Sequence, residues 1–170
     1  MNMKNNKKFH DRSTLEKKAL PFSVYPLDDS PGFIIHCLDT RMSAGLARVF
    51  QGAGYDVTPE QWGVLSLLWQ EEGIHQAELA QRAAKDRHNM TRILNLMEKN
   101  GLITRKPDKE DKRRFNIYLT PKGRDMRPGL TDVVTAYLKD CLLGLNADDI
   151  QALKRIHMKI LDNMSAMSDE

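Results

Sequence analysis

The chain has 170 residues, 41% of them hydrophobic, and its 26 lysines and arginines exceed its 23 acidic residues to leave a formal charge of +3. That length allows one domain with a real core, or a small domain carrying helical arms. No apolar run approaches the ~20 residues of a membrane helix, the basic start MNMKNNKKFH has no apolar segment behind it, and Cys37 and Cys141 are too few for a disulfide framework, so the expectation is a cytoplasmic protein with no membrane partner.

Residues 1–30 read as a basic N-terminal extension in which Pro21 and Pro26, with Pro31 just beyond, exclude a continuous helix, although residues 11–20 can form a short one. Residues 31–170 then read as a single domain. A helix is expected over residues 33–51, where Ile35, Leu38, Met42, Leu46 and Val49 recur at nearly seven-residue spacing. Thr58-Pro59-Glu60-Gln61 is a capping box with proline at the first helical position. It opens a helix carrying Trp62, Val64, Leu65, Leu68 and Trp69 that ends near Gly73.

Residues 75–84 make a short amphipathic helix around Ala77, Leu79, Ala80 and Ala83. Asp86 can cap the next, residues 87–100, which stops at Gly101. Met90, Ile93, Leu94 and Met97 form its buried stripe, which leaves Arg87, His88, Asn89, Thr91, Arg92 and Asn95 on the opposite face. Leu102-Ile103-Thr104 starts a hairpin whose tip, residues 109–114, is crowded with charge. Its return strand sets Phe115, Ile117 and Leu119 on one face, with Asn116 and Tyr118 on the other. Two strands cannot bury a core alone, so this hairpin must lean on the preceding helix with its tip free.

Thr120-Pro121 caps a further helix carrying Met126, Leu130, Val133, Val134, Tyr137, Leu138, Cys141 and Leu142. Pro128-Gly129 should kink it or break off its first two turns, and Gly144 ends it. Asn146, with Asp149 three residues on, caps a last helix bearing Ile150, Leu153, Ile156, Ile160, Leu161 and Met164.

The charge is unevenly divided. Residues 81–127 hold fourteen Lys/Arg against six Asp/Glu, a net of +8, and residues 1–20 carry +4, whereas residues 21–80 carry −6 and residues 128–170 carry −3. A polyanion-binding surface needs such a concentration, and it falls on the polar-faced helix and the hairpin. Arginine, histidine, amides and a hydroxyl on one helical face can donate to and accept from base edges and phosphates. Short helix, turn, polar-faced helix and basic hairpin, in that order, describe a winged helix-turn-helix. The fold class is therefore mainly α with a small two-stranded β-wing and a helical dimerisation region. The winged module cannot cover the apolar stripes of residues 33–51 and 124–166, and a second copy of the chain is the economical cover.

Residues 57–123 resemble the MarR family of transcriptional regulators. The resemblance rests on Glu78-Leu79-Ala80, Thr91-Arg92, Glu98-Lys99-x-Gly101-Leu102-Ile103-x-Arg105, Asp108, Asp111-Lys112-Arg113-Arg114 and Leu119-Thr120-Pro121-Lys122-Gly123. The flanking helices also fit the family plan, which extends the resemblance to residues 33–165. His75 departs from the family's usual capping serine or threonine, and His88 and Asn89 replace common small hydroxyl residues.

The resemblance implies a homodimeric, sequence-specific double-stranded DNA-binding regulator, a repressor, acting on an inverted-repeat operator. Arg87, His88, Asn89, Thr91 and Arg92 would enter the major groove and Arg113 the flanking minor groove. Arg114, Lys112 and Lys109 would meet phosphates, and Asp111 would pair with Arg113. It also implies a small aromatic or lipophilic ligand between the dimer helices and the winged module, near His36, Cys37, Arg41, Trp62, Trp69 and Tyr137. Trp62 and Trp69 read rather as core. Two rival readings are a thiol redox sensor at Cys37, with only Arg41 nearby to favour the thiolate, and a winged module used for protein–protein contact. The extension is either a disordered tail or an arm on DNA or on the partner subunit. The scattered histidines His10, His36, His75, His88 and His157 have no metal-ligand spacing, no nucleophile elbow, phosphate loop or HExxH pattern occurs, and neither a cofactor nor an enzymatic activity is expected.

Overall fold

A computed structural model describes Leu27 and residues 30–108, 110–111 and 114–168. The expected extension, residues 1–30, lies almost wholly outside these. The chain divides into two units, Met1–Arg41 and Met42–Glu170. In the first, the described residues are chiefly the opening turns of helix α1 (Pro31–Gly52). This helix starts two residues ahead of the expected Phe33, because a proline is tolerated in the first turn, where its missing N–H has no intrahelical partner to lose.

In the second unit, α1 buries Gly45, Leu46 and Phe50. Helix α2 (Pro59–Leu68) has the expected capping box: the Gln61 amide donates to Thr58 Oγ1 at 3.2 Å and the Thr58 amide to Gln61 Oε1 at 3.0 Å. Helix α3 (Gln76–Arg82) is two residues shorter at its C-terminal end than its apolar pattern suggests. Helix α4 (Arg87–Lys99) buries Met90, Ile93, Leu94 and Met97, the stripe that its periodicity marks out. It ends in a Schellman turn, with Gly101 at φ +69° and the Leu102 amide donating to the Met97 carbonyl at 2.9 Å.

The wing differs from the expected two strands. Strand β1 (Ile74–His75) adds to β3 (Phe115–Leu119), which pairs on its other side with β2 (Ile103–Pro107), so the antiparallel order is β1-β3-β2. Ile74 lies opposite Ile117 and Ile103 opposite Leu119. The added strand satisfies backbone groups that β3 would otherwise leave on an open edge. Ile117 and Leu119 are buried as alternation requires, but Phe115, at the outer end of the strand, is exposed.

The helix expected to kink at Pro128-Gly129 is two helices, α5 (Pro121–Asp125) and α6 (Arg127–Cys141), meeting at Met126. Pro128 falls in the first turn of α6, so the break lies just ahead of it. Gly129 admits a close approach, since a Cβ there would stand 1.8 Å from the Tyr55 hydroxyl. Helix α7 (Ala147–Ser168) begins at the expected box, with the Asp149 amide on Asn146 Oδ1 at 3.0 Å and the Asn146 amide on Asp149 Oδ2 at 2.9 Å. Leu153, Ile156, Met158, Leu161, Met164 and Met167 on α7 are exposed. No helix among the described residues is long and apolar enough to cross a membrane.

Candidate nucleic-acid interface

The turn between α3 and α4 closes with Ala84 at φ +50° and the Lys85 amide donating to the Ala80 carbonyl at 2.9 Å, a Schellman closure made without glycine. Asp86 then caps α4: Oδ1 accepts the Asn89 amide at 2.8 Å, and Oδ2 accepts Asn89 Nδ2 at 2.6 Å. These bonds, the backbone one first, hold the Asp86 carboxyl below the ordinary carboxylate range. Asn89 is thereby fixed through its nitrogen.

Arg87, His88, Asn89 and Arg92 are exposed, and Thr91 is half-buried. An open groove runs along Arg87, His88, Thr91, Arg92, Asn95 and Leu96. Thr91 Oγ1 donates to the Arg87 carbonyl and accepts from Gln76 Nε2, both at 2.8 Å, so this hydroxyl ties α3 to α4. Arg92 reaches Glu60 Oε2 at 3.2 Å, while Glu60 Oε1 takes Lys85 Nζ at 3.0 Å. The Lys85 hydrogen bond is the largest influence lowering the Glu60 carboxyl's affinity for its proton. With its side chain 58% exposed, Arg92 is steered by Glu60 and still open to a second anion.

The wing is fastened to α4 by Arg105. Its Nη1 pairs with Glu98 and its Nη2 donates to Asn95 Oδ1 at 2.9 Å. The loop beyond β2 is organised by Asp108, whose Oδ1 accepts the Glu110 and Asp111 amides at 2.9 and 3.0 Å and whose Oδ2 accepts Asn116 Nδ2 at 3.1 Å. Those bonds, led by the Asp111 amide, pull the Asp108 carboxyl down to about 2. Arg114 Nε stands 3.7 Å from Asp111 Oδ2. Lys109, Lys112 and Arg113 lie outside the described residues, and with them the expected Asp111–Arg113 pair. At the base of the wing Glu72 takes both Arg124 Nε and Nη2 at 2.7 Å and the Leu119 amide at 3.2 Å. Those contacts, chiefly the Arg124 hydrogen bond, lower its pKa.

Of the expected ligand-pocket residues, His36, Cys37 and Arg41 belong to the first unit, with Cys37 half-buried and the other two exposed. In the second unit Trp62 packs against Phe50 with ring centroids 6.4 Å apart. Trp69 Nε1 donates to the Gly123 carbonyl at 3.0 Å, and the Tyr137 hydroxyl donates to the Met42 carbonyl at 3.0 Å. These three side chains thus have structural partners. No group of three or more His, Cys, Asp or Glu among the described residues is placed to hold a metal ion.

Glu60, Arg105 and Asp108 are the organising residues that sequence reading does not assign. Arg105 and Asp108 belong to the spaced pattern of the wing and Glu60 to a capping box, but their partners lie up to 32 residues away, where local periodicity carries no signal.

The MarR family model matches residues 57–115. The HTH-type transcriptional regulator TtmR of Methylorubrum extorquens is 33% identical over 118 residues, covering 69% of this chain and 56% of TtmR, so the chain spans little more than half of that relative's length. The HTH-type transcriptional regulator PapX of Escherichia coli is 33% identical over 118 residues, 68% of this chain and 71% of PapX. Among solved structures, the transcriptional repressor CouR bound to a 23-mer DNA duplex aligns at a TM-score of 0.71 and 26% identity, covering 79% of this chain and 94% of CouR. CouR from Rhodococcus jostii RHA1 bound to p-coumaroyl-CoA shares the fold at a TM-score of 0.70 and 20% identity, over 81% of this chain and 95% of CouR. With the capped polar helix, the clamped wing and these relatives in agreement, the chain belongs to the MarR family of DNA-binding transcriptional regulators.

Proposed function

We propose that the chain is a cytoplasmic, homodimeric repressor that binds an inverted-repeat double-stranded operator and is released by a small aromatic or lipophilic ligand. The observation that carries this reading is the exposed face of α4, where Arg87, His88, Asn89 and Arg92 stand together, beside a wing fastened to the same helix by Arg105. In the proposed complex α4 enters the major groove, with arginines, an imidazole and amides directed to base edges and phosphates. Lys109, Lys112 and Arg114 meet phosphates, and Arg113 enters the neighbouring minor groove, where an arginine reads narrow width and negative potential. Thr91 contributes by holding the two helices of the motif in register. The exposed apolar side chains of α7 support dimerisation, since Leu153, Ile156, Met158 and Leu161 leave a broad apolar surface open on one helix. A two-fold axis then sets two copies of α4 about one DNA turn, ~34 Å, apart. The proposal of a ligand is supported by the similarly folded CouR of Rhodococcus jostii RHA1, solved with p-coumaroyl-CoA, and that of DNA by a CouR solved with a 23-mer duplex. No observation favours the thiol alternative at Cys37.

A fluorescence titration with the duplex upstream of the chain's own gene tests the reading. Tight binding of an inverted repeat by Arg92 and Arg113 in place, and its weakening by Arg92→Ala and Arg113→Ala, are the expected results. Wild-type binding indifferent to both substitutions would show that another surface meets DNA.

A further inference from the structure

Asn95 lies on the exposed face of α4, one turn beyond Thr91, and lines the same groove as Arg87, His88 and Arg92. Its amide has a fixed neighbour. Arg105 Nη2 donates to Asn95 Oδ1 at 2.9 Å, and Arg105 is itself held by Glu98 through Nη1 and through its backbone amide at 3.3 Å. A guanidinium has five N–H donors and no acceptor, so the chemistry dictates which way the amide faces. The oxygen must point at Arg105, because turning the amide over would set an NH2 group against a cation. The Arg105 side chain is only 16% exposed, which keeps this cation in place rather than swinging into water. A charge-assisted bond to Oδ1 also draws electron density from the amide and strengthens Nδ2–H as a donor.

We infer that Asn95 is a specificity-determining residue that meets DNA as a hydrogen-bond donor, through Nδ2. Its acceptor is the O6/N7 edge of guanine or O4 of thymine in the major groove, or a phosphate oxygen. An unengaged asparagine commonly reads adenine with both ends of its amide, oxygen to N6–H and nitrogen to N7. With one lone pair of Oδ1 engaged by Arg105, an adenine amine would have to share the oxygen with a cation, which disfavours that paired contact. The exocyclic amines of cytosine and adenine, which need an acceptor, meet a donor backed by a cation. The inference rests on the reading that α4 occupies the major groove, and it adds the polarity with which one position of the helix reads.

Selection of tight-binding duplexes from a random pool by the full chain, by Asn95→Ala and by Asn95→Asp tests it. The wild type is expected to favour guanine or thymine at one position of each half-site. Asn95→Ala should lose that preference and bind roughly three- to tenfold more weakly, as one hydrogen bond allows. Asn95→Asp keeps an oxygen for Arg105 but replaces the donor by an acceptor, and should shift that position toward cytosine or adenine. If the acceptor is a phosphate, base preferences stay the same in all three proteins, and a single neutral methylphosphonate in the duplex reproduces the loss seen with Asn95→Ala. That result also upholds the donor role. Three results would overturn it: Asn95→Ala binding as tightly as the wild type, a uniform loss that no methylphosphonate reproduces, or a wild-type preference for cytosine or adenine at the position Asn95 controls. Failure of the wild type to bind any duplex would instead overturn the DNA-binding reading on which the inference stands.

Discussion

Ala84 holds a left-handed conformation at φ +50° in the turn of the helix-turn-helix, where an L-residue meets its own carbonyl. Relief of that clash by Ala84→Gly is worth roughly 1–2 kcal/mol, and glycine's extra freedom in the unfolded chain returns about 0.5–1 kcal/mol of it. The net expectation is a stabilisation of about 0.5–1 kcal/mol, seen as a higher urea midpoint at unchanged slope; an unaltered or lower midpoint would mean that the Ala84 methyl makes a contact that offsets the strain. Asp108 acts on the wing. Its carboxyl titrates at about 2 in the folded chain against an ordinary 3.8, so the order it supplies is fully present above pH ~4 and is lost as pH falls through about 2. Carboxyl chemical shifts followed by NMR should show that low midpoint. Asp108→Ala should weaken operator binding roughly fivefold, because the loop must then be ordered on docking, with little change in melting temperature. Equal affinity of the variant would mean that the loop has no part in docking. The polar face of α4 was legible because 3.6-residue spacing separates Arg87, His88, Asn89 and Arg92 from Met90, Ile93, Leu94 and Met97. The partners that aim those side chains, Glu60 for Arg92 and Gln76 for Thr91, come from other helices, and so remained hidden.

At the scale of elements, what could be read from the sequence was what local chemistry specifies. Thr58, Asp86, Thr120 and Asn146 all accept the amide bonds that mark helix starts, and Gly101 takes the positive φ of a helix end. Strand β1 was not legible, since two residues between Gly73 and a helix show no alternation and form a strand only because β3 offers them an edge. The break between α5 and α6 was displaced from Pro128 to Met126 for a related reason: a proline in a first turn starts a helix as readily as it interrupts one. Helix α7 carries Leu153, Ile156, Met158 and Leu161 outward, in contrast to α4, which buries Met90, Ile93, Leu94 and Met97. Ending the chain before Ile150 removes that surface and should leave a monomer on sedimentation, together with loss of operator binding. A stable dimer from the shortened chain would move the interface elsewhere.

For the whole molecule, net charge says little and its distribution says much. The +8 carried by residues 81–127 against −6 on residues 21–80 leaves a formal total of only +3, so attraction to a polyanion depends on which face is presented. Two copies docked on one duplex would neutralise several phosphates at once and release their counterions. A surface used for protein contact would have no such stoichiometric dependence on salt. The direct measurement is the affinity for an inverted-repeat duplex as salt rises from 50 to 200 mM. A dimer making about 6–10 phosphate contacts should lose roughly a thousandfold or more over that range, with a linear fall of log affinity against log salt. Affinity that stays level across it would contradict DNA binding by α4 and the wing.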